Sequence, residues 1–249
     1  RVDMINAYLL DEDPAVNGAA LVGLATEACD NSDMQAMFNL QERLQEKIEQ
    51  SKKLNAPKDL EAFKIMIART IGYGKLAAFY PILEDYMKDL SPAVVKQAIL
   101  SAGSSQAPCF IKTLLSFLPN KSTRSAARKA LARYEPAEIL PILEDVSRAP
   151  ETKTDLLIQL PALAETMETQ QAVDYLFALV QQEDPIVKME ALESLYKIKA
   201  RFPHLTIGWK RLIPIINGDI DLYKDTLVLS YTAQHNLERY KDDPKISIA

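Results

Sequence analysis

The chain has 249 residues, with 29 Lys and Arg against 34 Asp and Glu, and therefore a formal net charge of −5 at neutral pH. Apolar residues make up 48% of it and charged residues 25%, so the composition is that of a folded soluble protein and excludes a disordered one. No run approaches about 18 uninterrupted apolar residues, and the sequence therefore predicts no membrane-spanning helix.

Apolar residues recur at helical spacing along the whole chain and predict antiparallel helix pairs joined by turns. The predicted first pair is truncated at 1–28, and the second combines a long helix at about 33–54 with one at 58–72. The later pairs are predicted at about 75–103, 106–134, 135–166, 169–201 and 206–239. Residues 240–249 are predicted to form a departing linker or tail.

The helix pairs also repeat in sequence. The segment YPILEDYMKDLSP at 80–92 matches LPILEDVSRAPET at 140–152, an offset of 60 residues, or two units of about thirty. A period in this range is typical of solenoids of stacked helix pairs, in which each repeat contacts only its neighbours. The sequence therefore predicts an all-α, right-handed α-α superhelix of about seven helix pairs, forming a single solenoid over 1–239.

The second helices of the pairs share a local pattern. A proline in the first turn, where a missing N–H costs nothing, follows a residue that can act as an N-cap. These dipeptides are Asp13-Pro14, Ser91-Pro92 and Asp184-Pro185. An alanine recurs later in the same helices, where a small side chain lets neighbouring helices approach closely. These alanines are Ala20, Ala98, Ala127 and Ala191.

Charge is distributed unevenly along the chain. No acidic residue occurs between Asp89 and Glu135, and seven basic residues do, so this segment carries +7 while the remainder carries 22 basic against 34 acidic groups, or −12. The seven are Lys96, Lys112, Lys121, Arg124, Arg128, Lys129 and Arg133. Five of them lie on the predicted second helix at 121–133. If these charges served only to keep the helix soluble, both signs would be expected, because opposite charges four residues apart stabilise a helix. The presence of basic residues alone therefore indicates an anionic partner.

The candidate binding residues are six of these seven cations. They are Lys96, Lys121, Arg124, Arg128, Lys129 and Arg133. We expect them on the concave wall of the solenoid, opposite a buried stripe of small residues. Arg124 and Arg128, four residues apart, are expected to project side by side and to suit a bidentate grip on a carboxylate or phosphate. A solvated face that only keeps the helix soluble is the alternative reading.

Motifs that carry catalysis, cofactors or metals do not stand out. The glycines never assemble a phosphate-binding loop, and IGYGK at 71–75 is the turn that ends a helix. Cys29 and Cys109 are expected to be buried structural thiols, and His204 and His235 lack partners at metal-ligand spacing. We therefore expect that the chain is not an enzyme and that it binds neither a cofactor nor a metal ion.

The repeating unit D-x-P-x-V-…-A-…-L resembles the HEAT repeat over almost the whole chain. Residues 161–205 are also similar to the HEAT region of bacterial fusion proteins that carry an ATP/ADP-translocase-like membrane domain. The Leu160-Pro161 step, the helix AVDYLFALV and the ending LYKIKARFP carry this resemblance. It implies a cytoplasmic region beside a membrane neighbour and transfers no catalytic residue. Those relatives tend to have arginines where this chain has Ile158, Gln159, Ala162 and Glu165.

These observations favour a protein-interaction or regulatory scaffold that binds a protein or acidic peptide segment, either from another chain or from other domains of its own. Two alternatives remain: a nucleic-acid-binding protein similar to HEAT-like DNA glycosylases, and a protein similar to HEAT-repeat phycobilin lyases. The net charge of −5 weighs against nucleic acid, since such proteins have a broad basic footprint. Because the first ten residues already resemble the first helix of a repeat and lack an initiator methionine, we expect a segment of a longer protein. The resemblance implies that this protein is cytoplasmic or is the cytoplasmic part of an inner-membrane protein.

Overall fold

A computed structural model describes residues 2–9, 14–31, 34–51 and 57–241. Over these residues the chain forms α-helices and two short 3-10 turns, at Ala77–Phe79 and Pro108–Phe110, and no strand. The helices are α1 (Val2–Tyr8), α2 (Pro14–Asp30), α3 (Met34–Ser51), α4 (Pro57–Tyr73), α5 (Tyr80–Tyr86), α6 (Pro92–Ser105), α7 (Ile111–Ser116), α8 (Arg124–Leu131), α9 (Pro136–Arg148), α10 (Thr154–Leu157), α11 (Pro161–Ala164), α12 (Gln170–Val180), α13 (Pro185–Arg201) and α14 (Trp209–Lys241). The prediction of an all-α solenoid is confirmed.

The chain divides into two compact units, Arg1–Phe202 and Pro203–Ala249. The first unit contains α1 to α13 in two layers. The second helices α2, α4, α6 and α8 stack one on the next, and each also packs on the first helix of its own pair. The layer of first helices continues through α7, α9 and α12. This is the neighbour-to-neighbour packing of a solenoid.

The small residues that recur in the second helices lie in the buried interior of the first unit. Ala98, Ala127 and Ala191 are completely buried, and Ala20 is nearly so. The closest approach occurs at two glycines: a Cβ built on Gly103 would lie 2.5 Å from the Cα of Ala130. On Gly72 it would lie 2.5 Å from the carbonyl oxygen of Ser101. Backbone therefore packs against backbone along the α4–α6–α8 layer.

The predicted N-caps are confirmed at two of the three prolines. The Ser91 hydroxyl accepts a hydrogen bond from the Val94 amide at 3.4 Å at the start of α6. The Asp184 carboxylate accepts from the Ile186 amide at 2.8 Å and from the Val187 amide at 3.2 Å at the start of α13. The third predicted cap, Asp13, lies outside the described residues.

The predicted pair at 135–166 differs from the structure in its second half. Its first helix, α9, continues through Pro141, and its second helix is broken into the two single turns α10 and α11. Pro161 explains the break, because it has no amide hydrogen for a helical bond and its ring clashes with the preceding turn. The residues before it, Gln159 and Leu160, instead donate to the carbonyls three residues earlier.

The prediction of a helix pair at 206–239 is wrong. The structure has one helix, α14, running from Trp209 to Lys241 through Pro214 and Gly218. The dipeptide Asn217-Gly218 could form a turn between two helices, but it can also lie inside one helix. An interior glycine costs a helix only about 1 kcal/mol. Residues 242–249 of the predicted tail lie outside the described residues. Within the part of the chain that the structure describes, no helix has the length and apolar character needed to cross a bilayer.

Candidate functional site

The six predicted cations lie on two neighbouring second helices of the first unit and on the turns beside them. We call this set the basic surface. It consists of Lys96 on α6, Lys121 before α8, Arg124, Arg128 and Lys129 on α8, and Arg133 after α8. The helix that carries most of them is shorter than the predicted 121–133, because residues 121–123 before it and 132–133 after it form turns. Since α6 packs directly on α8, both helices contribute to one surface.

The buried side of α8 determines which way the cations face. Ala127, Ala130 and Leu131 are completely buried, and Ala126 is nearly so. These residues fill the contact with α6 and α7, so the remaining positions of the helix turn outward. Lys129 is accordingly exposed. The predicted buried stripe of small residues is therefore observed, with Lys129 on the exposed side of the helix.

Arg124 does not project into solvent as expected. Its side chain folds back over the preceding turn, where Nε donates to the carbonyl of Leu118 and Nη2 donates to the carbonyl of Pro119, both at 2.8 Å. The hydroxyl of Thr123 donates to the Phe117 carbonyl of the same turn at 2.9 Å. The guanidinium thus closes the connection between α7 and α8, which gives Arg124 a structural role.

Arg128 extends toward the following repeat. Its Nη2 donates to the side-chain carbonyl of Gln159 at 3.0 Å, and Gln159 is buried. The Nε atom of Arg128 is buried and has no hydrogen-bond partner among the described residues. Arg124 and Arg128 are therefore held by different parts of the chain, and the expected side-by-side grip on one anion is not what the structure shows.

Arg133 closes the other end of α8. Its Nη1 donates to the Ser104 hydroxyl on α6 at 2.8 Å, and its own carbonyl accepts from the side chain of Gln106 at 2.8 Å. The hydroxyl of Tyr134 donates within the same junction, to the carbonyls of Ala102 and Ala107 at 3.2 and 3.0 Å. Burial raises the pKa of Tyr134 above its ordinary value, so the donor is retained throughout the neutral range.

The positive charge of the basic surface is not neutralised by carboxylates. Among the residues that the structure describes, none of its six cations forms an ion pair with Asp or Glu. Four cations elsewhere do form such pairs: Lys64 with Asp89, Arg148 with Glu144, Lys197 with Glu193 and Glu165, and Lys224 with Asp221. The arginines of the surface use only neutral acceptors, which hold the side chains in place and leave their charge available to an anion.

Sequence reasoning missed a series of polar contacts between successive repeats. Each joins side chains about one repeat apart along the second-helix layer. The pairs are Arg69 with Gln97 at 3.1 Å, Arg133 with Ser104 at 2.8 Å, Arg128 with Gln159 at 3.0 Å, and Ser194 with Glu165 at 3.0 Å. Their separations of 28, 29, 31 and 29 residues follow the repeat length of about thirty, and that spacing of polar residues is the signal that could have revealed them.

The remaining reactive groups form no recognisable site in the described part of the chain. No cluster of three or more His, Cys, Asp or Glu side chains there could hold a metal ion. The expectation of two buried thiols is wrong, because Cys109 is exposed and Cys29 is partly exposed. Desolvation of its sulfur, with a smaller effect from Glu84, raises the pKa of Cys109 and keeps that thiol protonated at neutral pH.

No protein-family model matches the chain, and no curated protein sequence matches it. Solved structures do resemble it. An engineered protein shares 17% identity with a TM-score of 0.35, over 81% of this chain and 97% of that one. A designed armadillo repeat protein shares 15% identity with a TM-score of 0.37, over 80% of this chain and 100% of that one. Neither likeness assigns a function.

Proposed function

We propose that this chain is a non-catalytic binding scaffold whose basic surface recognises an acidic segment of a protein. The observation that carries the proposal is the set of six cations without carboxylate partners among the described residues, in a chain whose net charge is otherwise negative. Exposed uncompensated charge of one sign attracts a partner of the other sign and speeds its association. Stacked repeats supply the rigid support that such a surface needs.

An acidic protein segment fits this surface better than a nucleic acid does. A net charge of −12 outside the basic segment would repel an extended polyanion that reached beyond α6 and α8. A short acidic peptide can contact the basic surface without reaching the negatively charged remainder of the chain. No residue of the chain singles out the phycobilin-lyase alternative.

The resemblance of 161–205 to translocase-associated HEAT regions supports a finer proposal for the setting. We propose that the scaffold works in the cytoplasm beside a nucleotide-transporter-like membrane domain, docking an acidic segment of that protein or of another chain. This finer proposal depends on the sequence resemblance alone.

The test is a binding titration with a fluorescent peptide of about ten glutamates, followed by anisotropy. A variant with Lys96→Ala, Lys121→Ala and Lys129→Ala removes three exposed cations that form no hydrogen bond or ion pair with the described residues. Exposed charge pairs are worth about 0.2–1 kcal/mol each, so the affinity should fall about tenfold. It should also weaken as salt is raised, because exposed charges are screened over about 8 Å at physiological ionic strength.

The matched control removes three exposed cations elsewhere, with Lys58→Ala, Arg201→Ala and Lys210→Ala. It lowers the net charge equally and should leave the affinity nearly unchanged. An equal loss in both variants would mean that total charge, and not the basic surface, determines binding. Tighter binding of single-stranded DNA or RNA of equal charge would favour the nucleic-acid alternative, and a turnover activity that a point substitution abolishes would exclude a non-catalytic scaffold.

A further inference from the structure

The turn between α5 and α6 carries an apolar side chain that the fold does not use. Leu90 is 101% exposed, the highest value among the large hydrophobic residues of the described chain. It precedes Ser91-Pro92 in the same register as Glu183 precedes Asp184-Pro185 at the start of α13. The turn therefore accepts a charged residue at this position, and its structure does not require a leucine.

Leu90 stands at the edge of an open groove between the α5–α6 turn and the α7–α8 turn. The groove has a volume of about 350 Å³, at the lower end of the range of about 300–1,000 Å³ found for ligand pockets. Its apolar lining includes the partly buried side chains of Val95 and Phe117, with Leu90 and Pro92 beside them. This space is large enough for one apolar side chain of a partner.

The charge around the groove is positive. Lys88 and Lys96 contribute to its lining and are exposed, and Lys96 also belongs to the basic surface. The one carboxylate in the lining, Asp89, is bound by the ammonium of Lys64 at 2.5 Å and by the Ser91 amide at 2.8 Å. Asp89 is therefore already compensated, and an approaching carboxylate meets unpaired ammonium groups.

We propose that this groove is the anchor site of the basic surface and takes one apolar side chain from an acidic peptide segment. The apolar side chain enters between Leu90, Val95 and Phe117, and carboxylates on either side of it reach Lys88 and Lys96. The inference rests on the proposed function, since Lys96 continues the groove into the basic surface. Apolar lining gives affinity and the lysines select acidic neighbours, a division of roles common in peptide recognition.

A peptide fits this arrangement better than a membrane surface does. A bilayer takes up apolar side chains that protrude beyond their surroundings, and Leu90 alone does so here. The apolar surfaces of Val95 and Phe117 lie inside the groove and are only partly exposed. A single inserted side chain can reach them, and a lipid surface cannot without filling the groove.

The experiment compares two labelled peptides on the full chain, each with five glutamates on both sides of a central residue, which is leucine in one and serine in the other. The wild-type protein should bind the leucine peptide about five- to tenfold more tightly, as expected for partial burial of one leucine. Leu90→Ser should abolish most of this preference and leave the serine peptide unaffected. Leu90→Met should preserve the preference, because it keeps an apolar side chain at the edge of the groove.

The control variant is Met189→Ser, which removes an apolar side chain that is 59% exposed on α13. It should leave the affinities for the leucine peptide and the serine peptide unchanged. Equal binding of the two peptides by the wild type would overturn the anchor site and leave the proposed function standing. Binding of neither peptide would contradict the proposed function itself. Sedimentation of the protein with phosphatidylserine vesicles that is lost in Leu90→Ser would assign the groove to a membrane and overturn the inference.

Discussion

The arginines of the basic surface combine two roles at the level of single residues. A guanidinium has five N–H donors, and the described contacts of Arg124, Arg128 and Arg133 use two, one and one of them. Their acceptors are carbonyl and hydroxyl oxygens, which fix the side chains without removing their charge. Lys96, Lys121 and Lys129 are exposed and carry charge alone. Substitutions at arginine and lysine positions should therefore have different consequences.

Arg124→Ala should destabilise the protein. It removes two hydrogen bonds that a charged donor makes to the carbonyls of Leu118 and Pro119, so the free energy of unfolding should fall by about 1.5–3 kcal/mol. This differs from the expectation from sequence alone, in which both arginines faced solvent. Lys129→Ala on the exposed side of α8 should remain within about 0.5 kcal/mol of the wild type. Urea unfolding measures the free energy of unfolding of both variants. An Arg124→Ala variant as stable as Lys129→Ala would show that the hydrogen bonds to the two carbonyls contribute nothing.

Gly103→Ala should also destabilise the protein, because a new Cβ would overlap the backbone of Ala130 and force α6 and α8 apart. Such overpacking typically costs about 1–3 kcal/mol. Gly23→Ala in α2 is the control, since its Cβ would meet only the end of Ile5 at 3.8 Å and the helix gains about 0.5–1 kcal/mol. The melting temperature should therefore fall in Gly103→Ala and rise in Gly23→Ala. A stabilised Gly103→Ala would mean that the two helices can separate without loss of packing.

At the level of elements, one polar cluster joins α4 to the start of α6. The Asp89 carboxylate binds Lys64 on α4 and the Ser91 amide, while the Ser91 hydroxyl donates to Glu61 on α4 and caps α6. Burial by itself raises the pKa of Asp89, but the hydrogen bonds from Lys64 and Ser91 outweigh it and the pKa is lowered from 3.8. The charged form of Asp89 is therefore favoured in the folded protein.

This lowered pKa predicts a pH dependence. The stability that Asp89 contributes is fully present above its unfolded pKa of 3.8 and is lost as the pH falls through its lower pKa in the folded state. Asp89→Asn should therefore lower the melting temperature at pH 7, and the difference from the wild type should shrink below about pH 4. Calorimetry of both proteins from pH 7 to pH 3 measures this difference in melting temperature. A difference that stays constant with pH would mean that the charge of Asp89 does not matter.

At the level of the whole molecule, the first unit is built from contacts between neighbouring repeats. A central helix such as α6 has second helices on both sides, α4 and α8, whereas α1 packs mainly against α2. In α6 the side chains of Val94, Ala98 and Ile99 are completely buried. Stability in such an array is roughly a sum of repeat and interface terms, so it should be lowest where a neighbour is missing.

Hydrogen exchange should reveal this gradient. The amides of α6 should exchange most slowly in the first unit and those of α1 fastest, because α1 opens with the loss of a single interface. Mass spectrometry of peptides from the two helices compares the rates directly. Equal protection would show that the unit unfolds as one cooperative block rather than as an array of repeats.

The sequence by itself determined most helices of the first unit and the location of its charge, but not the break between α10 and α11. Caps such as Ser91 and Asp184 act on amides two or three positions away, and first-turn prolines act within one helical turn, so both can be recognised along the chain. The buried alanines can be recognised because they recur at one position of successive second helices. The absence of acidic residues between Asp89 and Glu135 is also a property of the sequence alone. The predicted all-α solenoid and its basic segment follow from these local signals.

Only the tertiary structure decided how the side chains are used. Arg124 folds onto its own connection, and Arg128 reaches Gln159, 31 residues away in the next repeat, so two identical residues on one helix take different roles. The single helix α14 and the groove beside Leu90 were likewise not predicted. The contact of Arg128 depends on which group the next repeat places within hydrogen-bond distance, about 3 Å, and no pattern within one helix contains that information.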